Sequence, residues 1–367
     1  MTTANRSHLK EILKHLILEP TGFTAEHAAQ GLHSIMRGEA SESQMGGFLT
    51  ALKLRGVDGN AQVIAALAKE ALDNALIPNI DRSKGGVVAD IVGTGGDGWN
   101  TFNISTTSSL VAAAAGLCMT KHGSRASSSN CGSADLLESL GFELDYISPG
   151  DVGDLLHQYK FCFLFSSTFH PSMRYLAKTR RDLGFPTPFN ILGPLMNPCV
   201  PDRAVVGVCA KSLGPVMAEA LKILGRRNYA VVCGDENLDE ISIAGDTHVW
   251  HLRESGDIDY YTINPERDFG VPTHPLTEAA GSNLEDNQRI LKRLLGNTLQ
   301  ESDIAIRDFV LVNTGFLLYI AGKAQSMKEG AEVARHTIES GKVLELLENF
   351  AQATQALKSQ ELSRRAR

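Results

Sequence analysis

Apolar positions in the first fifth of the chain recur with the helical period. Leu9, Ile12, Leu13, Leu16 and Ile17 stand at i, i+3, i+4, i+7 and i+8, which is one face of a helix. Pro20-Thr21-Gly22 ends that helix, and Thr24 is placed to cap a second one carrying Ala28, Leu32, Ile35 and Met36. Ser41-x-x-Gln44 has the form of a capping box ahead of Met45, Phe48, Leu49 and Leu52. A turn at 56–59 leads into an alanine-rich helix over 61–75. Helices without strands predict a small bundle, a module whose ordinary work is packing or dimerisation.

The period then changes. After a polar linker at 79–84, a continuous apolar run at 87–92 has the length and composition of a buried strand. It ends in Gly93-Thr94-Gly95-Gly96-Asp97-Gly98, and a helix is expected over 105–116. A second apolar run ends at Lys121-His122-Gly123, and a serine-rich loop leads to another helix. Further strands are expected at 161–165, 204–209 and 229–233, and further helices at 151–159, 172–183 and 215–224. Four prolines make 185–198 a shaped loop, because proline belongs in neither a helix interior nor a central strand. Residues 246–264 read as strands. The remainder reads as helices at 283–295, 302–320 and 326–356, with a frayed polar tail at 359–367. Strand, loop and helix alternate as in an α/β domain with parallel strands, whose ligands gather at the carboxyl ends of the strands.

Composition narrows the function classes. A net charge of −7, from 35 basic and 42 acidic residues, argues against general nucleic-acid or anionic-membrane binding. The six cysteines are scattered with no C-x-x-C pair, which suits reduced, buried thiols. The run at 309–320 is too short to span a bilayer and is interrupted by Asn313-Thr314. The N-terminus has no apolar signal core, so a soluble cytoplasmic protein is expected.

The candidate chemistry is anionic. Gly93-x-Gly95-x-x-Gly98 fits the dinucleotide-binding pattern literally. Its helix is expected to start only after Asn103-Ile104-Ser105-Thr106, however, and the next strand ends in Lys121-His122 where a ribose-binding acid would be required. Glycine N–H groups and hydroxyls at a helix start suit a pyrophosphate instead, with a plain tight turn as the alternative. Lys121-His122-Gly123-Ser124-Arg125 with Ser127, Ser128 and Ser129 makes a second anion cradle, or else a solvated loop. Asp239-Glu240, just past a strand, suits Mg²⁺ with phosphate ligands, or else is surface charge. His170 stands at a strand end. Arg180 either pairs with a carboxylate or lies on a basic helix face.

Taken together, GTGGDG (93–98), NIST (103–106), KHGSR (121–125), GSADLLESLG (132–141), FHPSMR (169–174), RRDLG (180–184), FNILGPLMNP (189–198) and LDE (238–240) closely resemble the anthranilate phosphoribosyltransferases of tryptophan biosynthesis. GGFLTALKLRG (46–56) fits as well. The resemblance implies a small, mainly helical N-terminal domain and a large α/β domain of the nucleoside phosphorylase/phosphoribosyltransferase type. Residues 1–76, joined by the helix near 172–190, would form the helical dimerisation domain, and 77–367 the catalytic domain of a homodimer. The implied reaction transfers phosphoribosyl from 5-phosphoribosyl 1-pyrophosphate (PRPP) to the amine of anthranilate. Residue by residue, the resemblance gives PRPP to Gly93, Gly96, Asp97, Thr101, Asn103, Ile104, Ser105, Thr106, Lys121, His122, Gly123, Arg125, Ser127, Ser128, Ser129 and Ser133. It gives Mg²⁺ to Ser105, Asp239 and Glu240. It gives anthranilate to Gly93, His122, Ser124, His170, Arg180 and Pro194, with Arg180 on the carboxylate. No general base stands out.

Ser124 departs from the family pattern, which has asparagine there. A hydroxyl is shorter and makes fewer hydrogen bonds than an amide, so direct contact with the aromatic substrate is weakened at this position. Rival readings are a pyrimidine nucleoside phosphorylase, a non-catalytic nucleic-acid-binding relative on the same fold, and a nucleotide-dependent regulator.

Overall fold

The computed structural model describes residues 5–82, 86–126 and 131–366. The chain opens with helices α1 (Asn5–Leu18), α2 (Ala25–Met36), α3 (Glu42–Leu54) and α4 (Ala61–Asp73). Their starts follow from local chemistry. The Thr24 hydroxyl accepts the His27 N–H, and Ser41 and Gln44 close the expected reciprocal box. Asn60 caps α4 through the Val63 N–H.

Seven strands form one sheet in the order β3-β2-β1-β4-β5-β6-β7. They are β1 (Val88–Gly93), β2 (Cys118–Gly123), β3 (Phe161–Phe165), β4 (Arg203–Gly207), β5 (Tyr229–Gly234), β6 (Thr247–Leu252) and β7 (Ile258–Ile263). The first five run parallel, and β6 and β7 add antiparallel edges. Parallel strands buried on both faces must be apolar throughout, and β3 and β5 are wholly buried.

Alternation along the strands divides the core in two. Val205, Ala230 and Val232 face a cluster completed by Phe309, Phe316 and Phe350 of the C-terminal helices. Ala204, Val206, Tyr229 and Val231 face the other way, into a cluster shared with Met217 and Leu221 and continuous with Leu32, Phe48 and Leu67 of the helical bundle. The bundle is thereby anchored on one face of the sheet, with the carboxyl ends of β1, β2, β4 and β5 left for loops.

Two expectations at the C-terminus need correction. The run from 326 to 356 is two helices, Met327–Glu339 and Lys342–Arg365, because Gly341 takes a left-handed φ of 77° between them. The polar tail does not fray at 359 but stays helical to Arg365. Lys358 pairs with Glu143 and Arg365 with Glu361, each at 2.8 Å, which gives a polar helix partners that its apolar pattern does not reveal.

Candidate active site

The glycine loop and the acidic loop are packed against each other. β1 ends at Gly93 and β4 at Gly207, side by side in register. Asp239 lies over both: a Cβ on Gly93 would run into its carboxylate, and one on Gly207 into its backbone carbonyl. The Gly95 N–H donates to Asp239 Oδ2 at 2.6 Å. Gly95, Gly96 and Gly98 take φ of 69°, 82° and 80°, the left-handed turn that glycine adopts without steric cost. Trp99 closes the loop, donating its backbone N–H to Asp97 Oδ1 and its indole N–H to the Glu236 carbonyl, both at 3.1 Å.

The result is a concentration of carboxyl groups. Asp239 and Glu240 keep part of their surface open to the crevice but sit deep within it. Burial, then the charge of Asp97 and a hydrogen bond shared with it, pushes the Asp239 carboxyl up to about 7. Burial and the neighbouring Asp239 push Glu240 well above the usual carboxylate range, although it accepts the Ser105 N–H from the start of the helix Ile104–Ala114. The opposing cation is Lys121, 1% exposed. Its ammonium donates to the His122 carbonyl at 3.2 Å, and the fields of Asp90, Glu240 and Asp239 oppose the effect of burial on its charge.

Next along β2, His122 is buried and among the described residues its Nε2 has no hydrogen-bond partner, while the Gly193 carbonyl lies against the ring. Burial first, then His170 and Lys121, holds this imidazole well below its ordinary value, hence neutral. The His170 ring meets it edge-on with centroids 5.2 Å apart and is tied to the Met196 carbonyl at 2.9 Å. Pro194 is buried in the turn Gly193–Leu195. Arg180, near the end of the helix Arg174–Leu183, reaches Asn190 Oδ1 at 3.4 Å. Among the described residues it has no carboxylate partner, and burial lowers its basicity.

Other sequence-predicted residues are placed differently. Arg125 is exposed and engaged by its own chain, pairing with Glu138 and Asp145 and lying 4.5 Å over the Phe165 ring. Asn103 donates to the Cys131 carbonyl and accepts from Asn287. Thr101 forms an isolated bridge with Ala280. Ile104 and Thr106 are buried at the helix start, the Thr106 hydroxyl without a hydrogen-bond partner among the described residues. Gly123 ends β2 where a Cβ would press on the Phe163 ring at 2.8 Å. Ser124 is exposed, and its carbonyl accepts the Ala134 N–H. Ser133 opens the helix Ser133–Ser139. Ser127, Ser128 and Ser129 lie outside the described residues. Sequence reasoning passed over Asp90 and Asn197, both buried and hydrogen-bonded to each other at 2.8 Å. The signal was available, as an aspartate inside an otherwise apolar strand.

A glycine cradle, a buried ammonium and a partly buried arginine without a carboxylate suit an anionic, phosphorylated substrate and an aromatic acid. Comparison with known proteins agrees. Residues 85–344 match the glycosyl transferase family, a/b domain, and residues 10–75 the helical bundle domain of the same family. Over 90% of its length the chain is 41% identical to the anthranilate phosphoribosyltransferase of Schizosaccharomyces pombe, covering 92% of that protein. The chain belongs to the anthranilate phosphoribosyltransferase family. The enzyme of Methanobrevibacter smithii is 38% identical over 92% of this chain and 97% of its own. The Saccharomyces cerevisiae anthranilate phosphoribosyltransferase, solved in complex with PRPP and Mg, superposes with a TM-score of 0.87 at 33% identity, covering 95% of this chain and 98% of that one. The Thermus thermophilus enzyme superposes at 0.83 with 38% identity, over 94% and 99% of the two chains. These anthranilate phosphoribosyltransferases do not favour the phosphorylase, nucleic-acid or regulator readings. Among the described residues no helix is long and apolar enough to cross a membrane.

Magnesium fits the residues present. Asp97, Asp239 and Glu240 crowd three carboxyl groups against a single buried ammonium, an excess of negative charge that a divalent cation would relieve. Among the described residues no three His, Cys, Asp or Glu side chains are grouped so as to hold a metal ion by themselves. Mg²⁺ is commonly held by one or two carboxylates, with substrate phosphates and water supplying the remaining ligands.

Proposed function

We propose that the protein transfers the phosphoribosyl group of PRPP to anthranilate, in cytoplasmic tryptophan biosynthesis. The C1–N bond forms as the C1–O bond breaks, the electron pair leaves on pyrophosphate, and the amine proton is lost afterwards to water. The observation that carries this reading is the Gly95–Asp239 contact, which joins the glycine loop to the acid pair beside Lys121.

In this reading the glycine loop, Asn103, Ser105, Thr106 and Lys121 hold PRPP. Asp239 and Glu240, with Ser105, would hold Mg²⁺, whose charge would offset that of the diphosphate. Fixed N–H groups and the Lys121 ammonium face the same developing charge and need no reorganisation during the step. His122, His170 and Pro194 line the aromatic substrate's place, and Arg180 receives its carboxylate. A neutral His122 offers Nε2 for a hydrogen bond without repelling the cation-like ribose. An aniline nitrogen is weakly basic, so positioning does most of the work and no strong general base is required. Arg125 contributes to this site through its backbone, its guanidinium being engaged elsewhere.

Residues 1–76, with the helix near 172–190, are read as the dimerisation domain of a homodimer, and 77–367 as the catalytic domain. Ile17, Leu18 and Leu54, respectively 50%, 72% and 82% exposed at the ends of α1 and α3, support an apolar contact there. The direct test is loss of anthranilate fluorescence on adding PRPP and Mg²⁺. Turnover that requires both supports the proposal. Phosphate-dependent cleavage of thymidine or uridine without anthranilate turnover refutes it.

A further inference from the structure

Strands β1 and β2 are in register only at Val88↔Cys118 and Ala89↔Met119. Beyond that point each stays with its outer neighbour, β1 with β4 as far as Gly93↔Gly207 and β2 with β3 as far as Gly123↔Phe165. The two strands stay neighbours, but their backbone pairing lapses at the very positions that carry Lys121 and His122. Backbone groups released inside a protein must find other partners.

Two side chains supply them. The Asp90 carboxylate accepts the His122 backbone N–H and, at 2.8 Å, the Ile91 N–H. Asn197, from the end of the proline-shaped loop, donates its amide both to Asp90 Oδ2 at 2.8 Å and to the Thr120 carbonyl at 2.7 Å. Its carbonyl accepts the Cys199 N–H at 2.9 Å. Asp90 and Asn197 are 1% and 4% exposed, so these bonds face no competition from solvent. The pair touches both strands and the loop whose Gly193 and Met196 carbonyls in turn hold the two histidine rings.

We propose that Asp90 and Asn197 are positioning residues that bridge β1 and β2 where their backbone pairing lapses and fix Lys121 and His122 there, setting the spacing between the phosphate-binding ammonium and the aromatic substrate's imidazole. Of the three acids whose field reaches Lys121, Asp90 alone is outside the proposed metal-binding set, so its negative charge stays with the lysine when the metal is bound. The inference rests on reading Lys121 as a PRPP-binding cation.

The test is a double-mutant cycle on the full-length enzyme with Asp90→Asn, Lys121→Met and the double variant, measuring kcat and both KM values beside the thermal midpoint. Asp90→Asn is expected to lower kcat/KM for PRPP about 10- to 100-fold, the range of a small misplacement at a reacting site. The double variant is expected to match Lys121→Met alone. Losses that multiply would overturn the inference, as would an Asp90→Asn enzyme that melts earlier yet turns over like the wild type per folded molecule. An inert Lys121→Met would overturn both this inference and the reading of Lys121. A crippled Lys121→Met beside a normal Asp90→Asn would overturn the inference alone. Should Asp90→Asn not fold, Asn197→Ala takes its place in the cycle, with the same expected coupling and the same contrary results.

Discussion

The amide of Gly95 and the carboxylate of Asp239 meet at 2.6 Å although 144 positions separate them in the chain. That bond holds the first glycine turn and the late acid pair as one surface. It also explains the glycines that end β1 and β4: Asp239 occupies the space that side chains at Gly93 and Gly207 would need.

Gly207→Ala and Gly93→Ala should therefore differ. The first drives a methyl into the Asp239 backbone carbonyl, the second into its side chain. Gly207→Ala is expected to cost about 1–3 kcal/mol of stability as an overpacked site. Gly93→Ala is expected to cost less stability while weakening the metal dependence of turnover, because the carboxylate can rotate aside. Urea unfolding of both variants, with Mg²⁺ titrations of activity, checks this. A Gly207→Ala protein as stable as the wild type would contradict the packing.

Among the described residues Arg180 is a partly buried cation without a carboxylate partner, reaching Asn190. Charge-assisted hydrogen bonds are worth about 1.5–3 kcal/mol, so Arg180→Ala should raise the KM for anthranilate roughly tenfold to a hundredfold. The KM for PRPP should move far less. Steady-state kinetics with each substrate varied decides, and equal shifts would remove the carboxylate role.

Ser124 is exposed. Ser124→Asn is expected to keep or raise activity, as read from kcat/KM for anthranilate. An inactive variant would mean that the hydroxyl has a specific task.

His251 gives a pH signature far from the chemistry. Burial first, then Arg253, pushes its imidazole from 6.5 down to about 4, and its Nδ1 lies 3.1 Å from the Tyr261 hydroxyl. The unfolded chain thus takes up a proton that the folded one refuses between those values. The stabilisation is complete above pH 6.5 and is lost as pH falls toward 4. The urea midpoint should fall across that window, and fall less steeply in His251→Gln. Equal slopes would show that another group is responsible.

Local signals in the sequence were reliable where the physics is local. The caps at Thr24 and Ser41 each depend on a residue three positions away, and the glycine turn on backbone freedom that only glycine has. What was not legible depends on distant partners. KHGSR reads as a run of anion donors, but Arg125 is claimed by Glu138 and Asp145, acids that no spacing rule connects to it. Asp90 and Asn197 lie 107 positions apart and become meaningful only where the backbone pairing of β1 and β2 lapses beside them. The helix Lys342–Arg365 continues past its apolar stripe because Glu143 reaches it from another part of the fold.

The central claim is that the glycine loop, Lys121 and the acid pair grip one diphosphate with its magnesium. Calorimetric titration of PRPP into the enzyme, with and without Mg²⁺, tests it most directly when wild type is set beside Asp239→Asn/Glu240→Gln. The account predicts Mg²⁺-dependent binding in the wild type and loss of that dependence in the double variant. Equal, Mg²⁺-dependent affinities in the two proteins would contradict it.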